Sequence, residues 1–402
     1  MPSNRANCRP LTHALAGLLA LLCALPLGAA QTLVFWNSQQ NGELLADVAA
    51  GFTKSAGIKI ETNWLNQADL RSSLLRHATD GDLPDVALVP ADFLALDKEL
   101  KYSVVPAAGK DGTLVPNAAS SGLFEGRNLG APLFWGNHLM LYYNRSLVSK
   151  PARTWAEMAA QARQLQARNI RALGMQFGEM FWLVPFYGAY GGWPVDAKGA
   201  VTLDTPAMAK ALTTYFGLAS GGLTLKECRN DCALDRFAAG EFAYSINGDW
   251  AMRELRDALG DKLGVATLPQ LDGGKNLVPM YSGYVLVFPG QSLKGPKRDA
   301  LLKFIRYMQS EPVQRRWFNE TSHLPVNANV YRDVLARADD NLKASLNQLK
   351  QARAMPNDRG MAFAWEGMAK GFSSMYQGRV TATEAARIMQ QHADRAQRRA
   401  DY

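Results

Sequence analysis

Aromatic side chains beside turn residues are the strongest chemical signal in the sequence. Phe134-Trp135, Phe181-Trp182, Tyr187 with Tyr190 and Trp193, Trp250, Tyr281 with Tyr284, and Phe363 with Trp365 all fall at expected element ends, where rings can line a cleft. Large rings are buried wherever they sit, so most of these serve the core, and Trp155 and Trp317, on helical patterns, are core residues by placement. Trp250 after Asn247-Gly248-Asp249 and Trp365 after Gly360 are the better cleft candidates. Rings supplemented by amides, hydroxyls and carboxylates suit a neutral polar ring, whose C–H faces stack while its hydroxyls require paired partners. That chemistry points to sugars or polyols.

Catalytic signatures are sparse. The chain has no His-Glu-x-x-His, Gly-x-Ser-x-Gly, P-loop or Gly-x-Gly-x-x-Gly after its first strand. Beyond residue 30 the histidines are His77, His138, His323 and His392, at spacings that suggest no metal set, so neither metal nor cofactor is expected. Glu179 and Asp249 are the pair that an exported carbohydrate-active enzyme would use, and loss of turnover on Glu179→Gln or Asp249→Asn would reveal it. A sensor or adhesion module using the same cleft is a further alternative. Lys and Arg are dispersed among acidic neighbours, and the Arg395, Arg398, Arg399 cluster ends a helix, so no nucleic-acid partner is expected.

The elements that position these residues are α/β. The chain has 402 residues, 44 Lys plus Arg against 36 Asp plus Glu, a formal net charge of +8 and 48% hydrophobic composition, which excludes disorder and fibre and allows two lobes. Arg5 and Arg9 precede an apolar run from Leu11 to Leu27, and Gly28-Ala29-Ala30 follows, as in a secretory signal peptide cut after Ala30. Cys23 lies inside that run with no small neighbour, unlike a lipoprotein cysteine. Export favours a disulfide between Cys228 and Cys232. Thr32–Trp36, Ile58–Trp64 and Asp85–Val89 read as strands. Between them lie helical patterns carrying Leu45, Val48 and Phe52, then Leu70, Leu74 and Ala78, with stops at Gly57 and Gly81. This β-α-β-α-β order predicts a mostly parallel sheet with functional loops at the carboxyl ends of strands. Leu139–Tyr143, Phe242–Ile246 and Val285–Phe288 read as further strands, with a turn at Asn247-Gly248. Thr154-Trp-Ala-Glu157, Thr205-Pro206 and Thr381-Ala-Thr-Glu384 start helices. Without a linker between the halves, the chain is expected to pass between lobes more than once.

From about Leu33 to about Arg387 the sequence resembles the extracellular solute-binding proteins of ABC importers, in the group of maltose-binding and glycerol-phosphate-binding proteins. The likeness rests on Leu33-Val-Phe-Trp36 with Gly42-Glu43-Leu44, Gly81-Asp-Leu-Pro-Asp85, Leu141-Tyr-Tyr-Asn144 with Pro151, Thr154 and Trp155, Gly240 through Trp250, and Leu324-Pro-Val326. It implies a two-lobed periplasmic-binding-protein fold of type II. Residues 31–135 with 283–330 would form one lobe and 136–282 with 331–402 the other, the ligand sitting between them. It implies hinge closure, no chemistry on the ligand, a membrane permease as partner, a monomer, and a periplasmic location. It makes Asp92 a ligand acceptor, puts Glu179 and Phe181 at an acidic and an aromatic contact, and places Trp250 and Trp365 on stacking positions. Asp249, Gln39, Trp64, Trp135, Ser282 and Gly283 complete the candidate set. Val89 and Phe93 depart from the maltose-binding pattern. The Ser38-Gln-Gln-Asn-Gly-Glu43 loop leans toward glycerol-phosphate or glycerophosphodiester binders, but Trp365 replaces the Arg expected to meet a phosphate. A neutral sugar or polyol is the favoured ligand.

Overall fold

The computed structural model describes residues 31–39, 42–106 and 114–401. The proposed signal peptide and its cut after Ala30 lie outside the described residues, as do Gln40 and Asn41 of the early loop.

The first strand, Thr32–Asn37, pairs in parallel with Lys59–Trp64 on one side and Val86–Pro90 on the other. The helices between them bury the apolar faces read from the sequence: Leu45, Val48 and Phe52 on Gly42–Ala56, Leu70 and Leu74 on Gln67–Asp80. Asn66 caps the second helix by accepting the Asp69 N–H at 2.9 Å, and Gly81 ends it with φ 79°, a left-handed conformation costly for other residues. Lys59–Trp64 is mostly exposed because it is the sheet's edge strand.

The sheet is mixed rather than mostly parallel. Met280–Val287 returns late in the sequence and pairs antiparallel with both Val86–Pro90 and Gly130–Gly136, and Leu324–Pro325 adds antiparallel to Gly130–Gly136. Early βαβ units set the parallel half, whereas a strand arriving from the other lobe enters in the opposite sense. The smaller sheet orders Leu263–Ala266, Leu139–Asn144, Phe242–Gly248 and Arg171–Met175, and only the last pair is parallel. The turn expected at Asn247-Gly248 is instead the end of this strand. Asn247 pairs with Met140 and Gly248 with Leu139, because both residues lie opposite a partner strand that still has ladder to satisfy.

Each sheet carries its own apolar packing. Leu33, Phe35, Phe52, Leu286, Phe304 and Trp317 pack together on the larger one, and Leu173, Phe177, Phe186, Tyr215, Tyr244 and Met368 on the smaller. Helix starts fall where the caps predicted them: Thr154, Thr205 and Thr381 accept from the N–H groups of Glu157, Met208 and Glu384 at 3.1, 3.1 and 3.3 Å. Cys228 and Cys232 form a disulfide with Cα atoms 5.4 Å apart.

The chain passes directly from the Gly130–Gly136 strand into Leu139–Asn144 of the smaller sheet. A later passage needs correction: the expected boundary at 330/331 cuts the Ala328–Ala336 helix, which packs beside Leu324–Pro325 of the larger sheet. The following helix, Asp340–Leu349, lies on the smaller sheet, so the passage falls at residues 337–339. Among the described residues no helix is long and apolar enough to cross a membrane, and no group of His, Cys, Asp or Glu is placed to hold a metal ion.

Candidate functional site

The crossing between sheets has unusual backbone. Gly136 has φ 108° and Asn137 φ 45°, both in the left-handed half of conformational space. A Cβ on Gly136 would lie 2.3 Å from Asp249 Oδ2, so glycine here answers both φ and close packing. Asn137 ties the crossing down at both ends. Its N–H donates to Asp249 Oδ2 at 2.9 Å, and its Nδ2 donates to Ser282 Oγ, on the returning strand, at 2.7 Å.

Asp249 is 3% exposed, and Oδ1 has no hydrogen-bond partner among the described residues. Burial pushes its carboxyl up to about 7, opposed by the neighbouring backbone N–H groups of Asn137, Trp250 and His138. His138 Nδ1 lies 3.7 Å from Oδ2, but burial lowers this imidazole to about 4, so near neutral pH it brings no positive charge to the carboxylate.

Beside the crossing, three half-buried rings meet. Phe181, in the first turn of Met180–Ala189, has its centroid 6.2 Å from Trp250 and 6.5 Å from Trp365 of the Arg359–Tyr376 helix. Trp182 fixes this group from behind: it is buried, its Nε1 donates to Ile246 O at 2.8 Å, and its ring lies 6.1 Å from Trp250. Trp250 lies against the backbone of Gly248, where a Cβ would strike its ring.

Asp92 comes from the larger sheet, in the turn after Val86–Pro90. Burial raises its carboxyl pKa, while the Arg71 guanidinium, a backbone N–H and the indole N–H of Trp365 act the other way. The Trp365 contact therefore joins a residue following the larger sheet to a helix packed on the smaller one. Tyr284 links the parts. Its phenol is held well above the usual range by burial and by Asp92, while the Gln39 side chain hydrogen-bonds to it and Asp249 is also near. Further polar contacts cross nearby: Asn357 Nδ2 donates to Ser121 O at 3.1 Å, Arg359 Nε lies 3.7 Å from Glu125 Oε1, and Lys98 Nζ donates to Ala400 O at 2.9 Å.

The structure brings Asp92, Phe181, Trp250 and Trp365 together, and sets Asp249, Ser282 and Gln39 around the adjoining crossing. Gly283 leaves room for Ser121, whose Oγ would lie 2.7 Å from a Cβ there. Glu179 is exposed at the start of the Met180–Ala189 helix and makes no capping bond. Trp64 is 53% exposed at the end of the edge strand. Trp135 is corrected: it is 5% exposed and packs against Tyr281 and Tyr331, because its strand position turns the indole into a local core with Val115 and Leu324. Sequence reasoning missed Asn137 and Arg71. A Gly-Asn pair ending an apolar run signals the first through positive φ; nothing marks the second, since helical arginines are ordinarily solvated.

A family model described as bacterial extracellular solute-binding protein matches residues 47–344. A maltooligosaccharide ABC transporter solute-binding lipoprotein of Streptococcus pneumoniae is 24% identical over 341 residues, covering 80% of this chain and 78% of that protein. An sn-glycerol-3-phosphate-binding periplasmic protein of Yersinia pestis is 23% identical over 225 residues, 51% of this chain and 50% of that protein. Among solved structures, a maltose/maltodextrin-binding domain from Bdellovibrio bacteriovorus, bound to maltotriose, matches with a TM-score of 0.84 and 23% identity over 91% of this chain and 100% of that one. That likeness establishes a two-lobed α/β fold.

Proposed function

The chain belongs to the bacterial extracellular solute-binding proteins, and from that premise we propose that its cleft captures a neutral sugar or polyol for the permease of an ABC importer. The observation that carries this reading is the meeting of Phe181, Trp250 and Trp365 opposite Asp92. Half-exposed rings offer faces for the C–H side of a pyranose or polyol, and a carboxylate accepts from its hydroxyls. The sugar-binding roles named for the Streptococcus pneumoniae relative and for the Bdellovibrio bacteriovorus structure support the same class.

In this reading Asp92, Phe181, Trp250 and Trp365 hold the ligand, with Glu179, Trp64 and Gln39 at its margin and Asp249, Ser282 and Gly283 at the hinge. The lobes are residues 31–135 with 283–336 and 136–282 with 340–402. The protein works as a periplasmic monomer after removal of residues 1–30, and it leaves the ligand unchanged. Ligand contacts from both lobes exist together only when the lobes are closed, so binding shifts the population toward the form a permease recognises.

The name of the Yersinia pestis relative supports a second reading, glycerol 3-phosphate. A thermal-shift screen of monosaccharides, disaccharides, polyols and glycerol phosphates separates the two. A ligand at about 100 times its Kd adds about 2.7 kcal/mol of native stability. A shift with a neutral sugar or polyol fits the proposal; a shift with glycerol phosphates alone overturns it in favour of the second reading, and release of product from a glycoside panel would overturn both.

A further inference from the structure

Two acidic side chains flank the aromatic cluster, one from each lobe, and neither is paired with a cation. Asp92, half-buried in the turn after Val86–Pro90, closes no ion pair among the described residues. Its side-chain hydrogen bond comes from the Trp365 indole, and Arg71 acts on it only from a distance, with its guanidinium carbon 5.8 Å from the Phe93 ring centroid. Glu179 belongs to the smaller lobe. It is exposed two residues before Phe181, at the N-cap position of Met180–Ala189, yet its side chain makes no capping bond and, among the described residues, no ion pair. Cations that join the lobes nearby are already engaged: Arg359 lies 3.7 Å from Glu125, and Lys98 donates to Ala400 O at 2.9 Å.

Closing the lobes on a neutral ligand brings these two carboxylates toward each other as water leaves, so both lose solvation and neither gains a counter-charge. The rings add to the same imbalance. The exposed faces of Phe181, Trp250 and Trp365 present the negative side of their quadrupoles to this space, and such faces attract a cation held within about 6 Å of a ring centroid.

We propose that the cleft takes a further class of ligand, amino sugars protonated on nitrogen, and holds them more tightly than the neutral sugars of the same shape. The proposal rests on the reading of the aromatic cleft as a sugar site. The C–H face of the ring stacks as in a neutral sugar, while the ammonium meets Asp92 from one lobe and Glu179 from the other. Because the two acids come together only on closure, the ammonium acts on the closed form specifically. A bare alkylammonium offers the charge without the ring and hydroxyls, so the sugar part remains necessary.

The test is calorimetric titration with glucosamine, galactosamine, mannosamine and the disaccharide of two glucosamines, each against its neutral parent sugar and its N-acetyl derivative, with methylammonium and choline as controls. An amine beside electron-withdrawing groups titrates near the α-amino range of about 7.7–8.0, so work at about pH 6.5 keeps it protonated. The expected result is at least one amino sugar bound at least about tenfold more tightly than both of its neutral forms, with the advantage shrinking as salt rises. Asp92→Asn and Glu179→Gln keep shape and remove one charge each, and each should cut the ratio of amine to parent affinity at least about threefold. Trp365→Ala should weaken amine and parent together. Parents that bind as tightly as their amines overturn the proposal and leave the sugar reading standing, whereas silence from amines, parents and the whole sugar and polyol panel overturns both. A preference that survives both Asp92→Asn and Glu179→Gln, or amine binding untouched by Trp365→Ala, also overturns it by placing the charge recognition elsewhere. So does methylammonium or choline bound as tightly as the amino sugar, since the charge alone would then be the ligand.

Discussion

Replacing Asp249 by Asn isolates the cost of an ionised carboxylate buried beside the crossing between the sheets. Unfolded, this side chain titrates near 3.8; folded, burial pushes it up to about 7. The native state therefore holds the proton more tightly, and the stability linked to it is complete below about pH 4 and is lost as pH rises through about 7. A difference of about three pH units, at about 1.36 kcal/mol each, amounts to about 4 kcal/mol. Because the residue is 3% exposed, solvent screening removes little of this. His138 and His323, both lowered to about 4 by burial, act in the opposite sense: their folded pKa lies below the unfolded 6.5, so stability rises from about pH 4 to 6.5. The wild-type profile thus contains opposing slopes, and the difference between Asp249→Asn and wild type reports the carboxyl. His138 is 3.7 Å away, but between pH 4 and 7 both groups are predominantly neutral in the native state, so little ion pairing intrudes. Urea unfolding followed by tryptophan fluorescence, at half-unit steps from pH 4 to 8, should show the variant gaining about 4 kcal/mol on wild type across the range. A difference constant to within about 1 kcal/mol would refute the reasoning, because it would mean that the buried carboxylate is satisfied when ionised.

Trp365→Phe keeps a ring but removes the N–H aimed at Asp92; sugar affinity measured by calorimetry should fall about tenfold with little change in stability, and an unchanged Kd would remove this contact from the site. Gly136→Ala forces a Cβ onto Asp249 at φ 108°, and a loss of about 1–3 kcal/mol in urea unfolding is expected; a neutral result would show that the crossing relaxes freely. Cys228→Ser opens a loop whose closure stabilises by about 2 kcal/mol by chain entropy, and stability should fall by that amount while sugar binding is kept.

The elements were legible where local chemistry alone decides them. Thr caps, Gly81 and the 3.6-residue apolar faces marked helix starts and a helix stop where they are observed, because those signals lie within one turn of chain. Sheet direction was not, since whether Met280–Val287 runs with or against Val86–Pro90 depends on where the chain has been between them. The same separation explains the uneven site. Trp250 and Trp365 stood out beside turns, but Trp135 has similar neighbours in sequence and lies in a core, because burial is set by Tyr281 and Tyr331, far along the chain. Asp249 was a candidate for ligand contact or acid-base chemistry; its place beside the crossing between the sheets follows only from its juxtaposition with Asn137, 112 positions away.

The charge around Asp92 bears on which ligand the cleft accepts. A carboxylate offers about four lone-pair positions, and the indole N–H of Trp365 occupies one, so hydroxyls of a neutral ligand can still donate to it. A phosphate brought to the same place would meet a like charge. At about 4 Å and an effective dielectric constant near 20 that repulsion is about 4 kcal/mol, which Arg71 offsets only in part because it already acts on Asp92. Discrimination against phosphate esters should therefore lie in Asp92 rather than in cleft shape. Asp92→Asn keeps an acceptor and removes the charge, so the affinity for glycerol 3-phosphate relative to a neutral sugar should rise at least about tenfold. An unchanged ratio in competitive titration would show that the carboxylate does not face the ligand, and with it the assignment of the Asp92 wall would fall.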